Sequence, residues 1–141
     1  VGAGVNAGAR EYGLYIIGGD TGEASNVVIA VSMFGVTEKD VLTLRSGARS
    51  GDLIAVTGLF GKTSAGLRIL VDDLKASGKI RKTLVDSVLK PAARLKEGLA
   101  LAETKAVSAS IDSSDGLAWS LHEIAKSSHV GICIQWGTLL L

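Results

Sequence analysis

The stretch Val107-Ser108-Ala109-Ser110-Ile111-Asp112-Ser113-Ser114-Asp115-Gly116-Leu117 decides how this chain of 141 residues is read. Val107 to Ile111 reads as a strand. From Leu117 the apolar positions change to Leu117, Leu121, Ile124 and Ala125, the spacing of an amphipathic helix, and Val130 to Ile134 gives a last strand. Upstream, Pro91 is placed to open a helix whose face shows Ala92, Leu95, Leu99 and Ala102. Ile80 to Leu89 is a weaker helical or turn segment. Leu67, Leu70, Val71 and Leu74 mark another helix, which Gly78 is expected to close, and Leu53 to Thr57 is a short buried strand. Strands and helices alternate without an internal repeat, which predicts an α+β or α/β unit.

Further upstream, Thr37 to Asp52 is polar and holds Glu38-Lys39-Asp40 and Arg45-Ser46-Gly47-Ala48-Arg49, the composition of a linker. Before it, Gly4 to Gly13 carries Val5, Ala9 and Tyr12 at helical spacing, with an apolar strand Leu14 to Ile17 behind it. Val27 to Val36 is a near-continuous β-branched and apolar run, as expected of a covered strand. One helix and two strands are too few to hold a core alone.

Composition excludes several classes of function. Hydrophobic residues make up 47% and there are 18 glycines, so disorder is not expected. Fifteen basic against fourteen acidic residues give a net charge of +1, no broad field for nucleic acid or an anionic membrane. The aromatics are too few and scattered for a base-stacking platform. The longest strongly apolar run, Val27 to Val31, falls far short of the ~20 residues that cross a bilayer, and no targeting segment is visible. Cys133 cannot form an intrachain disulfide and reads as a small buried hydrophobe in a strand, which suits a reducing cytoplasm. The first residue is valine, and Gln135 to Leu141 turns apolar without a turn signal; both suggest an incomplete chain.

Three glycine-rich stretches invite a nucleotide reading. Gly2 to Gly8 imitates a dinucleotide fingerprint, but that motif follows a strand and only Val1 precedes it, so a small-residue helix packed on a sheet is the better account. Gly58-Leu59-Phe60-Gly61-Lys62-Thr63 ends like a phosphate-binding loop, yet Val56 stands where the motif needs its first glycine. A tight connection explains it, with Lys62 left as a point charge near a helix start. In Gly18-Gly19-Asp20-Thr21 the carboxylate follows a strand beside glycines that permit close backbone approach to a ligand.

Asp112 and Asp115 lie three residues apart at a strand-to-helix junction. Either Ser113 or Ser114 caps the helix while Asp115 complements its dipole, or the paired carboxylates hold Mg²⁺ together with substrate phosphates. His122 and His129 have no zinc-site spacing and read as surface residues, while Trp119 and Trp136 read as packing or interface residues.

The order Ile17-Gly18-Gly19-Asp20-Thr21, Arg45-Ser46-Gly47-Ala48, Gly51-Asp52-Leu53-Ile54-Ala55-Val56-Thr57-Gly58, Ser64-Ala65-Gly66-Leu67 and Ile111-Asp112-Ser113-Ser114-Asp115-Gly116-Leu117 resembles the thiamine-monophosphate kinase family. That family shares a superfamily with aminoimidazole ribonucleotide synthetase. The resemblance runs from about Gly4 to Ile134. It implies an α+β, aminoimidazole ribonucleotide synthetase-like two-domain architecture truncated at both ends. Residues 1–37 would end a dimerising N-terminal domain, 38–50 would be the linker, and 51–141 would begin a C-terminal α/β domain.

It further implies ATP-dependent, Mg²⁺-assisted phosphorylation of thiamine monophosphate in the cytoplasm. Asp20 would ligate metal and, with Gly19, line the nucleotide site; Arg45 would contact the nucleotide and Ser114 would meet ATP. Asp112 and Asp115 would hold Mg²⁺, and no residue would act covalently. A homodimer is implied, its N-terminal units pairing into one closed sheet, with which Val27 to Val36 is compatible. Gly22 and Glu23 depart from the family pattern, and family members are longer, so poor activity is expected of this chain alone. The alternatives are another ATP-dependent synthetase or dehydratase of the superfamily, or an inactive nucleotide-binding or interaction module.

Overall fold

The computed structural model describes residues 1–135; Trp136 and the apolar end after it lie outside the described residues. Among the described residues five helices occur in the order α1 (Gly2–Tyr12), α2 (Lys62–Val71), α3 (Gly78–Leu89), α4 (Leu95–Glu103) and α5 (Leu117–Ser128). The chain divides into two compact units, Val1–Thr37 and the part from Glu38 onward.

The α+β expectation, with the mixed two-domain architecture attached to it, is overturned: the described residues contain helices and no sheet. The stretches expected as strands (14–17, 27–36, 53–57, 107–111 and 130–134) carry no ladder. Ser110 donates its N–H to the Leu44 carbonyl at 2.8 Å, a single bond between segments and not a ladder. β-Branched composition marks a chain that fits a pleated surface, but a strand exists only through the neighbour that pairs with it. Without that neighbour the apolar side chains stay out; Val36 is 98% exposed.

In the first unit, α1 ends as expected at Gly13, which takes the left-handed conformation (φ 67°), while the Leu14 N–H returns to the Ala9 carbonyl at 2.7 Å. The expected tight packing of its glycines is absent, since a Cβ built at Gly2, Gly4 or Gly8 meets nothing within 4 Å.

The second unit is organised by α2 on α3. Gly66 sets their closest approach: a Cβ there would lie 2.0 Å from the Leu84 carbonyl oxygen and 2.8 Å from Val88 Cγ2. Ile69, one turn on, is 4% exposed. The stripe expected to be covered, Leu67, Leu70, Val71 and Leu74, faces out instead. Periodicity identifies an apolar face, but the smallest residue decides where two helix backbones can meet. The expected closure at Gly78 is also corrected. The helix stops at Asp72, whose carboxylate pairs with Arg68 Nε at 2.7 Å, and Gly78 opens α3. Lys82 and Asp86 face each other at 2.9 Å on α3, which raises the pKa of the ammonium and lowers that of the carboxyl.

The polar stretch after Thr37 is bonded into this second unit. Asp40 pairs with Lys105, Thr43 Oγ1 lies 2.8 Å from Ser110 Oγ, and Asp52 accepts from Ser108 Oγ at 2.6 Å. α5 buries Leu121 and Ser120 and closes on His129, which holds the left-handed conformation (φ 55°) while the Val130 N–H returns to the Ala125 carbonyl at 3.1 Å. Cys133, expected to be buried in a strand, is exposed.

Candidate functional site

The junction from Asp112 to Leu117 is shaped by Gly116 and Ser120. Gly116 has φ 95°, a conformation that costs other residues dearly, and it starts α5 at Leu117. Buried Ser120 donates back to the Gly116 carbonyl at 3.0 Å, and its Oγ lies 2.9 Å from Ser113 Oγ. Ser113 is thereby tied to the first turn of the helix. The capping account is not realised, because Gly116 is the N-cap and no side chain caps the turn.

Asp112 and Asp115 are both exposed beside this turn. Arg45 NH2 stands 3.7 Å from Asp112 Oδ1, with side chains 55% and 80% exposed, so solvent screens the pair. Ser114 Oγ reaches Asp115 Oδ2 at 3.4 Å, a long contact. The second unit thus brings Arg45 to Asp112 and keeps Ser114 and Asp115 in the same loop. Asp20 and Gly19 are exposed in the first unit, where Asp20 Oδ1 accepts the Thr21 N–H at 2.8 Å.

Among the described residues no three His, Cys, Asp or Glu side chains converge as a metal cage. Two open carboxylates with an oxygen-only donor set fit Mg²⁺, which takes one or two carboxylates and completes its shell with phosphates and water. Lys62 is the exposed first residue of α2, and His122 is exposed with its ring 5.9 Å from that of Trp119.

Sequence reasoning missed Asp52, Ser108 and Ser128. Asp52 accepts from the Ser108 hydroxyl and, at 2.8 Å, from the Arg49 N–H, and these bonds hold its carboxyl below the usual carboxylate range. Ser128 Oγ accepts the Ala48 N–H and donates to the Arg45 carbonyl. Contacts across 56 and 80 residues have no local signature in one sequence.

Curated proteins named thiamine-monophosphate kinase are similar to the chain across most of its length. That of Buchnera aphidicola is 41% identical over 127 residues, 89% of this chain and 38% of that protein. The Pyrococcus horikoshii protein is 39% identical over 132 residues, 94% of this chain and 40% of its own length. The Bacillus subtilis protein is 35% identical over 132 residues, covering 92% and 40%. The chain spans about two fifths of the length of these relatives. No protein-family profile matches it, and no solved structure matches it significantly. No helix among the described residues is long and apolar enough to cross a membrane.

Proposed function

We infer that this chain belongs to the thiamine-monophosphate kinase family, as a segment corresponding to about two fifths of its relatives, and propose that it serves ATP-dependent phosphorylation of thiamine monophosphate to thiamine diphosphate. The observation that carries this reading is the similarity to those kinases along about nine tenths of the chain.

In this transfer the bond between the γ-phosphorus and the β,γ-bridging oxygen breaks, a new bond forms to a terminal phosphate oxygen of the acceptor, and ADP leaves. That acceptor is a phosphate monoester, largely dianionic at neutral pH because its second pKa is about 6, so it needs little help from a base. What the reaction does need is alignment and relief of repulsion between two anions. The residues proposed for it fit that need, being carboxylates, glycines and one arginine with no nucleophile among them.

Asp112 and Asp115 would hold Mg²⁺, which when bound neutralises phosphate charge, and in the first unit, taken by itself, Asp20 would offer a carboxylate to metal. Arg45 offers its guanidinium to a phosphate oxygen from beside Asp112. Ser114 offers the nucleotide a hydroxyl, and in the first unit, taken by itself, Gly19 leaves its backbone open to a nucleotide. We further propose a cytoplasmic homodimer joined through residues 27–36, whose exposed apolar side chains support a partner there.

Calorimetric titration with ATP tests the site. In the presence of Mg²⁺, Asp112→Asn should weaken binding by roughly tenfold or more, and without Mg²⁺ it should change little. Equal affinity for both forms with Mg²⁺ present removes Asp112 from the metal site. ADP release with thiamine monophosphate, compared between this chain and the Bacillus subtilis relative, should be slow for the chain alone. Melting shifts with aminoimidazole precursors but not with thiamine monophosphate would point instead to another superfamily activity.

A further inference from the structure

We propose that Ser128 is a positioning residue for Arg45: its hydroxyl clips the loop 45–48 to the last turn of α5, and so sets the direction in which the guanidinium leaves the backbone. The inference deepens the reading of Arg45 as a phosphate contact and rests on it.

Ser128 Oγ donates to the Arg45 carbonyl at 3.2 Å and accepts the Ala48 N–H at 3.1 Å. A hydroxyl has one proton to give and lone pairs to receive, so the two bonds use it in both directions. Because they fall on two different residues of the loop, they fix the orientation of a turn and not merely the position of one atom. Gly47, between them, has φ 118°, and its backbone runs so close to residue 108 that a Cβ would lie 2.5 Å from the Ser108 carbonyl oxygen. The turn is therefore held on one side by Ser128 and stopped on the other by the chain at Ser108.

From this turn the Arg45 side chain extends to within 3.7 Å of Asp112. An ion pair this exposed is too weak to hold a long, flexible side chain by itself. Placement must come from the backbone, and Ser128 is the side chain that joins that backbone to the helix following Asp112 and Asp115.

The test is a double-mutant cycle read by Mg·ATP affinity, using Ser128→Ala, Arg45→Ala and the pair, with Ser128→Thr as the variant that keeps a hydroxyl. Ser128→Ala should weaken binding by roughly two- to tenfold, the range of a lost neutral hydrogen bond. Ser128→Thr should retain most of the affinity, and Ser128→Ala should cost nothing further once Arg45 is alanine. Amide exchange at Ala48 should speed up in Ser128→Ala and not in Ser128→Thr. Full affinity in Ser128→Ala, or an equal loss with and without Arg45, overturns the positioning role while leaving Arg45 as a phosphate contact. Unchanged affinity in Arg45→Ala, or no binding by the unaltered chain, overturns the reading of Arg45 and the role of Ser128 with it.

Discussion

Val28 and Ile69 are both β-branched residues in apolar stretches, yet Val28 is 79% exposed and Ile69, on the helix that packs against α3, is buried. The two units that hold them differ in the same way. In Val1–Thr37 the helix α1 buries no residue, Leu14 bonds back to Ala9, and Asp20 bonds to its own neighbour. In the part from Glu38 onward, Ser128 reaches Ala48 and Ser108 reaches Asp52. Both α1 and α5 close with a left-handed residue and a bond back to the preceding turn, so local chemistry is not what separates the units. Hydrophobic composition supplies the driving force in each, but only a surface shaped to receive a side chain turns it into packing.

Three tests can break or sharpen this contrast. The largest effect is expected at Ile69, where truncation to alanine should cost about 2–5 kcal/mol in urea unfolding. Val28→Ala should stay within about 0.5 kcal/mol, and similar losses at both sites would erase the distinction between the units. Next come the glycines. Gly66→Ala should lower stability by about 1–3 kcal/mol as a methyl is forced against the Leu84 backbone. Gly4→Ala, with open space around it, should favour α1 by roughly 0.5–1 kcal/mol, visible as added helical circular dichroism. If Gly66→Ala proves as harmless as Gly4→Ala, the two helices do not approach as described.

The smallest effect is electrostatic. The Asp52 carboxyl is held below its ordinary value of 3.8, with the Ser108 hydroxyl as the main cause. A depressed folded pKa contributes stability that is complete above the unfolded value and is lost as pH falls through the folded one. The second unit should therefore lose a small increment below about pH 4, and Asp52→Asn should lose none from this source. Identical acid limbs in the two unfolding curves would exclude the Ser108–Asp52 bond as a contributor.

Much of the helical content was legible. The spacing of Leu117, Leu121, Ile124 and Ala125 marks α5, and the helix ending at Gly13 is where its glycine puts it. These are short-range facts, decided by side chains within a turn or two of each other. That the expected strands would find no ladder among the described residues was not legible, because Val107 to Ile111 has the composition of a strand whether or not another segment lies alongside. The buried face of α2 also escaped: Gly66 contributes nothing to an apolar count and yet governs the contact with α3. At the site, the paired carboxylates were visible as a spacing. The missing cap at Ser113 was not, since Ser120 claims that hydroxyl from the next turn. The nearness of Arg45 to Asp112 was not legible either, since the residues between them carry no mark of the bonds by which Ser128 holds the turn 45–48.

The exposed apolar run of residues 27–36, which carries no ladder, has a practical consequence for anyone handling a single copy of the chain. Proteases bind backbone that no ladder or helix holds, with side chains reaching into pockets, and this run is without either, with Phe34 79% and Met33 75% exposed when no partner covers them. Limited digestion should therefore nick the chain before Thr37 long before it opens α2 and α3, leaving a trimmed second unit as the persistent band on a gel.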